Sequence, residues 1–310
     1  MTTSGSAQAP VQPYPLSTRI AIEALGSFFI VFAGLATALF SPTVSTVAFA
    51  YGLAMVAALA AFGHVSNGYF NPAFSVAMAV AGRIKWVPAV LYVVAQTVGA
   101  ILSAMVLYVL IKVLPSDATG GVGKIFSSLA NGYDAHSPSK VPFAGVLIVE
   151  VIAMAILVAV LLGATSVRNK GTLGPIAIGL AFGVAMTITL PISNGSLNPA
   201  RAMSVVFLSD SWALGQLWLF WLAPLCGAAL AAAIYRSFQS VGPVAVPAVA
   251  ADDVAASDDD DDAVEAPDAA EDEAALPRPV PASATSAEAP AAPAAPRKNE
   301  AQDFFDSSGK

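Results

Sequence analysis

The sequence predicts an all-α membrane protein of six transmembrane helices plus two re-entrant half-helices, set in an inverted repeat. Three observations carry this expectation. Six apolar runs are each long enough to cross a bilayer core, which takes about 20 residues of helix. An eight-residue phrase is written twice, SNGYFNPA at 66–73 and SNGSLNPA at 193–200, at an offset of 127 residues. Charge is also segregated: residues 1–236 hold ten Lys/Arg and five Asp/Glu, whereas residues 237–310 hold four and sixteen. A mean hydropathy of +0.71 and a pI near 4.7 therefore describe two different stretches, an apolar body and an acidic tail.

The first predicted span covers 18–40. The segment before it, 1–17, is polar and Pro-bearing with no basic n-region, so the run is expected to remain as a span. Glu23 lies within it, and a carboxylate at that depth is costly enough to need partners. The second span covers 44–63 and leads into Asn71, Pro72 and Ala73. Asn suits a helix cap and Pro the first helical position. The apolar segment that follows, 74–82, is about nine residues, which at ~1.5 Å per residue reaches only half of a ~30 Å core. The third span is 87–112 and the fourth 142–164, with Glu150 inside it. The fifth is 173–191, followed by Asn198, Pro199 and Ala200 and the short segment 201–209. The sixth is 212–235.

The repeat extends beyond the phrase. At the same offset Glu23 pairs with Glu150, and Gly52-Leu53-Ala54 with Gly179-Leu180-Ala181. With one residue of slip, YVVAQTVGA (92–100) lies against FWLAPLCGA (220–228). Each half, about 18–114 and 141–236, is thus three spans with one NPA between the second and third. An odd number of spans turns the second copy over in the membrane, and sites then gather at the midplane between the halves. Two half-helices entering from opposite faces would meet by their N-termini, and irregular backbone at that depth must be buried in protein or line a wet cavity. Backbone N–H groups of the re-entrant loops are the expected partners of Glu23 and Glu150.

Orientation follows from basic residues in short loops. Arg19, Arg83, Lys85, Arg168, Lys170 and Arg236 fall on one side, Lys112, Lys124 and Lys140 on the other, which puts both termini in the cytoplasm of a multi-pass cell-membrane protein. The tail, 237–310, contains DDDDD at 258–262 and no apolar period, and is expected to be disordered. Its partner is not readable; Asp303-Phe304-Phe305-Asp306 is the only candidate anchor. Neither metal-ligand spacing nor a nucleophile–base pattern is present, so an enzyme is not expected, and no metal, cofactor or nucleic acid is called for. A secondary transporter would need coupling-ion ligands beyond Glu23 and Glu150. Cys226, His64 and His136 are read as packing and loop residues, with His64 equally open to a place in a pore mouth.

Two NPA motifs, the second running into Arg201, inside an inverted repeat of three-span halves, resemble the aquaporin (major intrinsic protein) family over 18–236. GHVSNGYFNPA (63–73), ANGYDAHSP (130–138), GPIAIGLAFG (174–183) and QLWLFWLAP (216–224) are similar to its bacterial water channels. The resemblance implies a homotetramer in the bilayer, one pore per subunit, no cofactor, and water or a small neutral solute as permeant with ions and protons excluded. It also implies that Asn71 and Asn198 offer side-chain amides to the permeant and that Arg201 stands at the narrower constriction; its other use would be to brace the loop between the third and fourth spans. Counting from the NPA asparagines, the remaining constriction members would be Tyr51, Met186 and Gly195. Water-selective members usually have Phe and His at the first two, so Met186 leaves an aquaglyceroporin-type facilitator as the alternative. Ala202 and the Phe220-Trp221 pair lean toward water.

Overall fold

The computed structural model describes residues 14–113, 121–169 and 171–238. The acidic tail, and most of the predicted N-terminal segment, lie outside the described residues. Among the described residues six helices are long and apolar enough to cross a membrane: α1 (Leu16–Phe40), α2 (Val44–Ser66), α4 (Trp86–Val113), α6 (Phe143–Ala164), α7 (Gly174–Ser193) and α9 (Ser211–Ser237). Two short helices lie between them, α3 (Pro72–Val80) and α8 (Pro199–Val206). They begin at the NPA prolines, earlier than the apolar segments alone suggest, because the asparagine caps them. A further short helix, α5 (Gly121–Leu129), and a 3-10 turn at Asp134–His136 occupy the α4–α6 connection, where no helix was predicted. Its apolar side buries Phe126 and Leu129.

Small residues set how closely the spans pack. An added Cβ on Gly52 would lie 2.8 Å from the Gly179 carbonyl oxygen, and one on Gly179 would lie 2.6 Å from the Gly52 carbonyl oxygen. These two glycines are repeat equivalents, so the halves cross at their own symmetry-related positions on α2 and α7. Within the halves the same device recurs. A Cβ on Gly99 (α4) would come within 2.1 Å of the Ala24 carbonyl oxygen on α1, and one on Gly227 (α9) within 2.3 Å of the Val151 carbonyl oxygen on α6. Since the obstruction is backbone, it cannot rotate away. Gly99→Ala and Gly227→Ala are each expected to destabilise by ~1–3 kcal/mol, whereas Gly215→Ala, with no atom within 4 Å of the new carbon, is not. Melting of the purified protein in detergent checks this, and equal shifts for all three would refute the packing argument.

The short helices run in opposite directions from a shared centre. Past α3, the Val80 carbonyl accepts from Arg236 Nη1 at 3.1 Å, on the side where α1 begins and α9 ends. Past α8, Asp210 N donates to Ser127 Oγ of α5 at 2.8 Å, on the other side. Cys226 is exposed on α9 rather than packed.

Candidate functional site

The two re-entrant loops are built alike, and the likeness is visible atom by atom. Asn67 and Asn194 end α2 and α7 in the left-handed region (φ 75° and 64°), followed by Gly68 and Gly195 (φ 68° and 63°). Phe70 and Leu197 are also left-handed, at φ 52° and 48°. Apolar residues rarely hold that conformation. Here it turns their N–H groups onto buried carboxylates. Glu23 accepts from Ser66 Oγ (2.7 Å), Tyr69 N (3.0 Å) and Phe70 N (2.6 Å). Glu150 accepts from Ser193 Oγ, Ser196 N (3.2 Å) and Leu197 N (2.9 Å).

One partner breaks the symmetry. Gln96 Nε2 on α4 donates to Glu23 at 2.7 Å and to Ser75 of α3 at 2.8 Å, while Ser27 Oγ donates to the Gln96 carbonyl. Its counterpart in the second half is Pro224, so Glu150 has no such side-chain donor. The one-residue slip of the repeat already set Gln96 against Pro224, which is the signal that could have found it.

At the centre, Asn71 Oδ1 accepts from Ala73 N (2.9 Å) and Asn198 Oδ1 from Ala200 N (2.9 Å) and Arg201 N (3.2 Å). These bonds satisfy donors at the start of each half-helix. Asn71 Nδ2 donates to the Leu197 carbonyl at 2.9 Å, tying one loop to the other. Asn198 Nδ2 is buried and has no hydrogen-bond partner within the protein. The loops that start α3 and α8 are thus in contact, and each helix N-terminus carries a partial positive charge of roughly half a unit.

Arg201, the second residue after Pro199, is 1% exposed. Three of its five N–H groups are used within the protein: Nε donates to Tyr51 Oη (3.3 Å), Nη2 to the Asn194 carbonyl (2.8 Å) and Nη1 to Asn131 Oδ1. Tyr51 fits because Gly34 has no side chain: a Cβ there would lie 2.0 Å from the tyrosine ring. Gly195 lies beside Met186, whose sulfur would stand 3.0 Å from an added Cβ. So Tyr51 meets Arg201, and Met186 meets Gly195, with all of them buried. Asn131 was not singled out from the sequence; its Oδ1 accepts from Arg201 across 70 residues of chain.

Several cavities lie among the described residues. One of ≈640 Å³, on the side of α1's start, is lined by His64, Asn67, Tyr69 and Arg83 among others. Arg83 is bonded to Thr165 Oγ1 (2.6 Å), the Leu162 carbonyl (3.0 Å) and Tyr235 Oη. Another, of ≈400 Å³, is lined by Leu190, Asn194 and residues of the α4–α6 connection among others. His136 stacks on Trp212 at 3.9 Å between ring centres, as a structural loop residue would. Among the described residues no group of three His, Cys, Asp or Glu is placed to hold a metal.

A family model described as major intrinsic protein matches residues 12–235. Aquaporin Z of Photorhabdus laumondii is 36% identical over 228 residues, 70% of this chain and 96% of that protein. Aquaporin Z of Bradyrhizobium diazoefficiens is 38% identical over 237 residues, 73% of this chain and 96% of that protein. The X-ray structure of the aquaglyceroporin from Plasmodium falciparum superposes with a TM-score of 0.61 at 19% identity, over 72% of this chain and 97% of that one. That last likeness is one of fold.

Proposed function

This chain belongs to the major intrinsic protein family, and we propose that it is a passive channel for water. The observation that carries the reading is the buried Asn198 amide, left without a protein partner where two half-helix N-termini meet. A donor at that depth is costly unless a passing solute uses it, and the same positive ends disfavour cations. Water satisfies the donor and carries no charge. The two Aquaporin Z relatives support the same permeant.

The site assignments follow from that reading. Asn71 and Asn198 orient the permeant, Tyr51, Met186, Gly195 and Arg201 form the constriction, and Glu23 and Glu150 brace the loops. Both termini lie in the cytoplasm, the protein sits in the cell membrane, and four copies assemble with one pore each. Water permeability does not depend on the tail, 237–310. Small neutral solutes such as glycerol are secondary permeants, because Met186 and Gly195 place no polar side chain on their part of the wall.

Osmotic shrinkage and glycerol uptake measured on the same proteoliposomes test this. Water permeability well above that of empty vesicles, with a low activation energy, is the expected result. Shrinkage at the empty-vesicle rate would overturn it, and glycerol flux that outpaced water would replace water with glycerol as the main permeant.

A further inference from the structure

We propose that Asn131 is a positioning residue for Arg201, and that its neutrality is its function: it holds the guanidinium without cancelling the charge. The inference rests on the channel reading above.

The geometry is a reciprocal clasp between two loops. Asn131, 3% exposed, follows α5; Asn194 ends α7. Asn131 Nδ2 donates to the carbonyls of Ser193 (3.0 Å) and Asn194 (3.1 Å). Asn194 Nδ2 donates back to the carbonyls of Ser128 (2.8 Å) and Ala130 (2.9 Å). Gly132 N adds a bond to the Ser193 carbonyl at 3.3 Å. Each asparagine thus fixes the other's backbone. Together they present two oxygens, Asn131 Oδ1 and the Asn194 carbonyl, to the two terminal nitrogens of Arg201.

Two oxygens facing a guanidinium fork is the arrangement a carboxylate would supply. Here both oxygens are uncharged. The third N–H goes to Tyr51 Oη, a hydroxyl and not a carboxylate. Glu150, the buried carboxylate of the same half, is committed to Ser193, Ser196 and Leu197. Among the described residues no carboxylate is hydrogen-bonded to the Arg201 side chain, although it is almost wholly buried. Buried charges are ordinarily paired, and a carboxylate at this distance in a low dielectric would quench most of the field. An arginine field is one of the barriers that exclude protons and cations from a water pore. A neutral clasp satisfies the N–H groups, keeps the side chain in place and leaves that field standing. Asparagine does this at position 131 and aspartate, in which a charged oxygen replaces the donating NH2, would not.

The test compares Asn131→Asp, Asn131→Ala and wild type in proteoliposomes, reading proton and Na⁺ leak against water permeability in the same vesicles. For Asn131→Asp the leak-to-water ratio is expected to rise at least about tenfold, a change of ~1.4 kcal/mol in the barrier. Asn131→Ala removes the acceptor without adding charge. It is expected to raise the glycerol-to-water ratio about threefold, as Arg201 gains freedom, with a smaller rise in leak than aspartate gives. A leak ratio for Asn131→Asp within twofold of wild type would overturn the proposal. If the aspartate protein does not reconstitute, an unchanged glycerol-to-water ratio in Asn131→Ala would overturn it instead. Wild-type vesicles that pass no water would sink the channel reading and this inference together, whereas wild-type water flux with no effect of either substitution would sink the inference alone.

Discussion

Replacing Glu150 with leucine is expected to abolish the assembled channel. Glu150 is fully buried in α6 and holds the second re-entrant loop through Ser193 Oγ and the N–H groups of Ser196 and Leu197. Leucine fills a similar volume but accepts no hydrogen bond. Three donors would then be stranded, each at a cost of ~1–3 kcal/mol, against a total stability of ~5–15 kcal/mol for an ordinary domain. The loss is also local to the pore. Leu197 holds a left-handed φ of 48° that an apolar residue adopts at a cost, and its bond to Glu150 is what offsets that cost. Without it the loop relaxes, and Asn198 and Arg201 leave their places. Folded yield in mild detergent and water permeability per reconstituted protein should both fall at least about tenfold. Glu150→Gln keeps one acceptor oxygen and should fall between. A leucine variant with wild-type yield and permeability would show that the carboxylate is not the brace.

Replacing Met186 with histidine is expected to lower the glycerol-to-water permeability ratio about fivefold. Met186 is fully buried on α7, its sulfur against Gly195 and 3.9 Å from Thr189 Oγ1. A thioether accepts hydrogen bonds weakly, so this wall offers a stripped solute little. Glycerol, with its carbon backbone, loses less against such a wall than water does. Histidine would restore one net hydrogen bond, worth ~1 kcal/mol and so about fivefold in rate, and it also stiffens a wall that methionine leaves flexible. Stopped-flow light scattering with each solute as osmolyte reads the ratio directly. A ratio that stays level or rises would remove Met186 from the constriction.

The brace and the wall stood differently in the sequence. Glu150 could be recognised because Glu23 stands 127 residues before it, because each is too costly in a membrane to lack partners, and because a loop that needs donors satisfied follows in each half. Met186 could be placed only by counting from Asn198 along a family pattern, and nothing in its neighbours points to a constriction. The spans, the half-helices and the inverted repeat were likewise legible, since hydropathy, helix capping and backbone satisfaction are written in contiguous residues and here are written twice. The helix ends shifted by a few residues, as for α2, which runs on to Ser66 so that its hydroxyl reaches Glu23.

What only the tertiary structure decided are the pairings that neither repeat nor neighbour each other. Tyr51 reaches Arg201 across 150 residues because Gly34, on a third element, leaves room for its ring. Asn131 reaches the same side chain from a connection that has no counterpart in the first half. Gln96 joins Glu23 where the second copy has Pro224. The physical reason is one of range. Burying apolar helices and satisfying backbone groups are demands each segment meets with its own residues, so they leave a local, periodic trace. A side-chain hydrogen bond in a pore depends on where three or four separate elements bring single atoms, and single atoms leave no period to read.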